Sequence, residues 1–380
     1  MKYLFGTLHR CSKPILARVG EFDKESFSWP LYTDLDIMIT GYIYPKNKSS
    51  CKHSLPFFTL EENSLVPNKG DIVLLNTDGY GTILYESQSD SNTLMITEKC
   101  NLKCEMCSQP TTYKNEYDFI LSSKIVDLIL EEPKNIGISG GEPTLEWDNL
   151  INLLMKIRNR FPSTNIQILS NGIIFKEIKY VSELAHVCGS SLCIGIPLYS
   201  DIYEIHDKIV GRRGAFWDTI ESLYNLERYN IYIELRTIIM KKNSKRLPNW
   251  ANFIIRYLPF VGHVAIMGLE PCGRAKDNFY KISIKTEKIF KELTSCVLIL
   301  SRFGINSMIF NIPLCNLPVF LWKFSHKSIS EWKRKYSDVC SKCILKNSCG
   351  GYFESWSTIR DFNVHPLILK TNNHEEDNYD

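Results

Sequence analysis

Three cysteines fall close together in the stretch ITEKCNLKCEMCSQP, at Cys100, Cys104 and Cys107, with C-x3-C-x2-C spacing. Two thiols could close a disulfide and four could close a zinc site; three complete neither. A second group, Cys340, Cys343 and Cys349, has C-x2-C-x5-C spacing in VCSKCILKNSCGGYFES. Cys315, upstream in NIPLCNLP at the end of an expected strand, makes that group a set of four. The chain opens without an apolar core followed by a small-residue cleavage site, and it has no run of eighteen apolar residues. A cytoplasmic protein with no membrane span is therefore expected. Thiols stay reduced in that compartment, so most of the thirteen cysteines are not a disulfide framework, and the clustered ones read as metal ligands. Four thiolates suit zinc as well as iron–sulfur. Cys272 follows an expected strand: its thiol could give a hydrogen atom or touch substrate, or it is an ordinary loop cysteine.

Positioning these groups is the task of a 380-residue chain, long enough for two or three domains. Its net charge of +3 gives no footprint for nucleic acid. Residues 1–90 alternate apolar and polar in DIMITGYIY and DIVLLNTDGYGTILYES, with Asp78-Gly79 as a hairpin signal, and predict a small β-rich domain. Over 91–304, six apolar runs (NTLMIT, NIGIS, NIQILSN, SLCIGIPLYS, IYIELRTIIM, HVAIMGLE) alternate with helical patterns. Ser122 or Ser123 and Asp148 are the expected caps of two of those helices. Six βα units in series predict parallel strands with right-handed crossovers. No G-x-G-x-x-G opens a helix, which favours a partial (β/α)6 TIM-like barrel within an α/β chain over a doubly wound sheet. Residues 305–365 are expected to form a Cys-rich C-terminal domain pinned by metal, and the composition of 366–380 predicts an acidic, disordered tail.

In such barrels reactive groups sit on loops after the C-terminal ends of strands. The three-cysteine segment follows the first strand, SGGEPTL (139–145) the second, SNG (170–172) the third, PLYS (197–200) the fourth and GLEPCGR (268–274) the sixth. Taken alone, Gly-Gly-Glu-Pro would be only a turn. Their agreement on one face means more than any one motif.

C-x3-C-x2-C after the first strand with Gly-Gly-Glu-Pro after the second resembles the radical S-adenosylmethionine (SAM) superfamily over residues 92–275. The resemblance implies that Cys100, Cys104 and Cys107 hold three irons of a [4Fe-4S] cluster, the fourth iron staying open for SAM. A low-potential cluster then cleaves SAM reductively to methionine and a 5′-deoxyadenosyl radical, which abstracts hydrogen from substrate. By the same resemblance, Gly140 and Gly141 leave backbone bare for the methionyl part of SAM, and Glu142 offers a carboxylate near its amine. Ser170 and Asn171 contact its polar groups, Tyr199 and Ser200 its ribose, and Arg236 its carboxylate. Arg236 has an alternative as a structural ion-pair residue, as does Glu270 as a structural acid of the barrel mouth. Met106 stands where many members carry an aromatic residue, and can pack on an adenine instead.

The C-terminal set resembles part of a SPASM domain in a shortened, twitch-like form, implying one auxiliary [4Fe-4S] cluster, with zinc the rival. CEMCSQP, GGEPTL, HDKIVGRRGAFWDTI, IELRTII and the CGGYF stretch resemble the His-Xaa-Ser system radical SAM maturases of the HxsC type, from about residue 40 to 365. That implies a peptide or protein substrate carrying His-Xaa-Ser repeats, a second radical SAM maturase as partner and an external electron donor. The expected activity is hydrogen abstraction that installs a post-translational modification. Its rivals are radical SAM chemistry on a small molecule, or a non-catalytic metal-binding support subunit of a partner maturase.

Overall fold

The computed structural model describes residues 2–34, 38–45, 54–109, 118–327, 333–358 and 364–367. It divides into two compact units, one of Met1–Asn101, Thr112–Ile196 and Asp218–Ile233, the other of Leu102–Thr111, Pro197–Trp217 and Glu234–Asp380.

The first unit begins with strands β1 (Lys2–His9), β2 (Ile15–Val19), β3 (Trp29–Tyr32), β4 (Gly41–Tyr44), β5 (Phe57–Leu60), β6 (Ile72–Leu75) and β7 (Tyr80–Tyr85). They close into a barrel in the order β1-β5-β4-β3-β2-β6-β7, with β7 pairing back onto β1. Only the β4–β5 pair is parallel among these strands. Inward positions carry Leu4, Ala17, Val19, Leu31, Ile43, Phe58, Val73 and Leu75, all fully buried, as a two-residue period requires. The expected hairpin is present. Gly79 supplies a left-handed turn conformation (φ +93°), and Asp78 Oδ1 accepts the Tyr80 amide at 3.3 Å. The segment DIMITGYIY forms a strand from Gly41 onward; its residues 36–37 lie outside the described residues, as do 368–380 of the expected tail.

The βα alternation follows: β8 (Asn92–Met95), α1 (Phe119–Leu128), β9 (Asn135–Ser139), α2 (Trp147–Arg160), β10 (Asn165–Leu169), α3 (Ile178–Cys188) and β11 (Leu192–Pro197). These four strands pair parallel and in sequence order within the first unit. Ile136, Ile138, Ile166, Ile168 and Ile194 are all but fully buried, as expected of strands covered by helices. Two expected caps fall elsewhere. Asp118 caps α1, its Oδ1 taking the Leu121 amide at 2.7 Å, so the orphan donor is satisfied before Ser122, which is buried inside the helix. Asp148 lies in the first turn of α2, which has no side-chain cap because a 3-10 turn, Pro143–Glu146, runs straight into it.

Next come α4 (Tyr203–Val210), which the sequence reading does not single out, α5 (Ala215–Arg228), β12 (Tyr232–Ile238), α6 (Leu247–Tyr257) and β13 (His263–Met267). They are followed by α7 (Arg274–Asp277), α8 (Phe279–Ile282), α9 (Phe290–Arg302) and β14 (Asn306–Phe310). Short strands β15 (Ser325–His326), β16 (Arg334–Lys335) and β17 (Tyr352–Phe353) complete the chain. In the second unit β12, β13, β14 and β15 pair parallel in order, so the alternation runs on past residue 304. Helices α6 and α9 pack together, and Trp250, Ala251 and Ile254 of one and Leu293, Val297 and Leu300 of the other are buried. The α/β class is as expected. Among the described residues no helix is long and apolar enough to cross a membrane.

Candidate functional site

In the first unit three loops follow the C-terminal ends of β8, β9 and β10. Glu142 joins two of them. Its side chain is 1% exposed, and Oε1 accepts from the Thr144 amide (3.1 Å), Thr144 Oγ1 (2.6 Å) and Ser170 Oγ (2.8 Å). Oε2 accepts from the Asn171 amide at 2.7 Å. Burial pushes the Glu142 pKa above the usual carboxylate range, against the pull of these donors. Asn171 Nδ2 in turn donates to Asn101 Oδ1 at 2.7 Å, beside Cys100. Sequence reasoning aims Glu142 and Ser170 at a ligand; the structure directs them first at each other.

The glycines of this loop also serve the chain. A Cβ on Gly141 would stand 2.2 Å from the Lys99 carbonyl oxygen, and one on Gly140 would stand 2.5 Å from that of Thr97. The Gly141 and Glu142 amides donate to Thr97 O (2.8 Å) and Lys99 O (2.7 Å). Glycine is needed here so that the second loop can lie against the backbone that leads into Cys100.

In the second unit the Cys104–Cys107 turn is anchored through its backbone. Lys103 and Glu105 donate to Val210 O (3.0 Å) and Ile209 O (2.9 Å), and Ala275 donates to Cys107 O (3.2 Å). Asn278 Nδ2 reaches Glu105 O at 3.0 Å. Gly211 (φ +72°) and Gly273 (φ +53°) permit this contact: a Cβ on either would meet Lys103 O at 2.9 Å or Gln109 O at 2.1 Å. Met106 is buried. Cys100, Cys104 and Cys107 are part-exposed, and none of the three is in a disulfide.

Tyr199 is held from both sides. His206 Nδ1 accepts its amide at 3.2 Å, and Asn243 Nδ2 donates to its carbonyl at 3.0 Å. Ser200 is buried and its Oγ accepts the Ile202 amide at 3.1 Å, shaping the entry to α4. His206 is 1% exposed, and burial pulls its pKa down to about 4, partly opposed by Asp207. An unfolded chain takes up this proton near pH 6.5, whereas the folded one resists it until about pH 4. Stability from this group is therefore full above pH 6.5 and falls as pH drops toward 4, by about 3 kcal/mol in all at about 1.4 kcal/mol per unit. Urea unfolding at pH 7.5, 6 and 5 should show about 2 kcal/mol of that loss in the wild type, and a shallower one in His206→Gln.

Arg236 is occupied within its own sheet: Nη1 lies 3.3 Å from Glu234 Oε1, and Nη2 lies 3.3 Å from Met267 Sδ. Glu270 pairs with Lys333 at 3.2 Å, and Cys272 is exposed. These contacts fit the structural alternative for both charged residues. A cavity at the ends of β13 and β14 is lined by Leu269, Phe279, Asn311, Ile312, Tyr352 and Trp356, among others.

Cys315, Cys340, Cys343 and Cys349 line one cavity, with Tyr336 and His365. None is in a disulfide. The amides of Leu314 and Gly351 point at Cys349 Sγ from 3.5 and 3.4 Å, and burial pushes the Cys315 pKa up. Among the described residues, no three His, Cys, Asp or Glu side chains gather closely enough to hold a single metal ion. The donor set still fits a cluster. Each cluster iron takes one cysteine sulfur besides its bridging sulfides, so the four thiols stand apart, whereas zinc draws four cysteine sulfurs to about 2.3 Å from one point.

The sequence reading missed His206, Asn243, Asn278, Gly273 and Thr144. It missed Gly211 too, although a left-handed glycine closing α4 carries a local signal, whereas Asn243 and Asn278 act through partners distant in sequence.

The family model described as Radical SAM superfamily matches residues 94–254, from within β8 to within α6. The chain is 24% identical over 204 residues to GTP 3′,8-cyclase of Petrotoga mobilis, covering 52% of this chain and 61% of the relative. It is 28% identical over 206 residues to the sporulation killing factor maturation protein SkfB of Bacillus subtilis, covering 52% and 47%. A solved structure of Streptococcus suis SuiB bound to precursor peptide SuiA aligns with TM-score 0.46 and 15% identity, over 59% of this chain and 49% of that one. The chain thus spans less than two thirds of the length of either curated relative.

Proposed function

We propose, from the premise that residues 94–254 are a radical SAM domain, that this chain is a radical SAM enzyme that modifies a peptide or protein. The observation that carries this reading is the match itself, within which Cys100, Cys104 and Cys107 all fall. Those three thiolates would hold a [4Fe-4S] cluster, and Cys315, Cys340, Cys343 and Cys349 an auxiliary one. With SAM, the first cluster supplies a one-electron reductive cleavage of the sulfonium that arms hydrogen abstraction. The protein's share is position and water exclusion. Glu142 locks the second and third loops together, and His206 with Asn243 fixes the backbone of Tyr199. Parallel βα succession within each unit supports the partial (β/α)6 barrel, with the β-rich 1–90, the core 91–304 and the cysteine-bearing 305–365 as its divisions.

The relative named as a maturation protein favours a polypeptide substrate. On the sequence resemblance alone, that polypeptide would carry His-Xaa-Ser repeats and be met in company with a second maturase and an electron donor. The cyclase relative favours the other reading, chemistry on a small molecule. Protein reconstituted anaerobically with iron and sulfide should release 5′-deoxyadenosine from SAM under a strong reductant. Stimulation by a candidate peptide supports the first reading, and stimulation by a nucleotide alone supports the second. An intact cluster that binds SAM but yields no product with either would count against both and favour a support subunit.

A further inference from the structure

We infer that Lys242 is a positioning residue for the Cys104–Cys107 turn, acting through Glu105 to hold that turn and balance the charge beside its cluster. The inference rests on the function proposed above. Glu105 lies between the two cysteines in CEMC, and its carboxylate Oε1 meets Lys242 Nζ in a short ion pair. Both side chains are mostly buried, 17% exposed for Glu105 and 21% for Lys242. The second oxygen, Glu105 Oε2, is buried with no hydrogen-bond partner. The carboxylate therefore leans on this one ammonium.

An exposed pair of this kind would contribute little. A part-buried one, with one carboxylate oxygen shut from water and unpartnered, is more sensitive, because removing one partner leaves a charge with little compensation. Here that charge would sit one residue from a cluster ligand. The other anchors of the turn are hydrogen bonds to its backbone, from Asn278 and Ala275 and to Ile209 and Val210, and none neutralises Glu105. Lys242 itself comes from a fixed segment. Asn243 Oδ1 accepts the Met240 amide at 2.8 Å, and the Lys241 amide donates to Ile282 O at 2.8 Å. The lysine is presented to the turn by a braced loop after β12.

The test compares wild type, Lys242→Gln, Lys242→Arg, Glu105→Gln and the double Glu105→Gln/Lys242→Gln, all reconstituted anaerobically. The signal followed is the reduced-cluster electron paramagnetic resonance that is missing from Cys104→Ala. Lys242→Gln should lose that signal severalfold faster to an iron chelator and titrate at a more negative potential, since Glu105 is left uncompensated. Lys242→Arg should restore both, and the double variant should return toward wild-type potential because both charges are gone. Unchanged iron loss and potential in Lys242→Gln would overturn the inference, as would a double variant no better than Lys242→Gln. The C-terminal cluster signal reports that each variant is folded. If wild type shows no Cys104-dependent signal, the radical SAM reading itself fails, and this inference with it.

Discussion

Cys104→Ala is expected to cut 5′-deoxyadenosine formation to the level of a protein-free control while leaving iron bound at Cys315, Cys340, Cys343 and Cys349. Two thiolates cannot hold a cluster that already manages with three, so the effect is on the cofactor rather than on rate alone. The fold should survive the change. Lys103, Glu105, Asn278 and Ala275 anchor the turn through backbone groups, and the second cysteine set is separated from it in sequence and lines a cavity of its own. Iron and sulfide analysis beside product chromatography gives the answer. A variant that keeps wild-type product would move the catalytic cluster elsewhere and overturn the assignment of this loop. Loss of all iron would mean that the two cysteine sets depend on each other for assembly.

The second large effect is structural. Glu142→Ala should lower the unfolding free energy by about 3 kcal/mol or more, since each orphaned buried donor costs roughly 1–3 kcal/mol and hydroxyls recover part of it by rotating. Four donors lose their acceptor at once: the Thr144 amide and hydroxyl, the Ser170 hydroxyl and the Asn171 amide. Glu142→Gln should fall between. Its carbonyl can still serve Thr144 and Ser170, but its amide would confront the Asn171 N–H donor to donor. Urea unfolding midpoints order the three proteins. If Glu142→Ala unfolds like wild type while SAM binding collapses, the carboxylate is a ligand to SAM before it is a brace.

That contrast marks where the sequence stops being legible. The strands were readable because runs such as NIGIS and NIQILSN place isoleucines that end up almost wholly buried, and covered parallel strands demand such runs. The motif positions were readable too, because each follows a strand. Partners were not. Nothing local to Glu142 announces Ser170, twenty-eight residues on, and nothing local to Tyr199 announces Asn243. Arg236 shows the same limit: the resemblance implies a ligand, and nothing local to it announces Met267, whose sulfur its Nη2 meets beside the Glu234 pair. The helix caps moved for a different reason. Asp118 and the turn at Pro143–Glu146 satisfy or bypass the amides that Ser122 and Asp148 would have served. Closure of the N-terminal strands was invisible, since β1 must pair with β5 and β7, far along the chain.

That closure limits how a guest polypeptide can be recognised by this part of the protein. Every one of the seven strands has a neighbour on each side, and among the described residues open main-chain edge is confined to short stretches, as where β1 pairs with β7 through Lys2–Phe5 and with β5 through Gly6–His9. Strand addition, which reads any sequence through its main chain, is thereby left only short edges at the barrel wall. A polypeptide gripped there would be gripped chiefly by its side chains, and one altered residue in it should then change affinity where strand addition would tolerate the change.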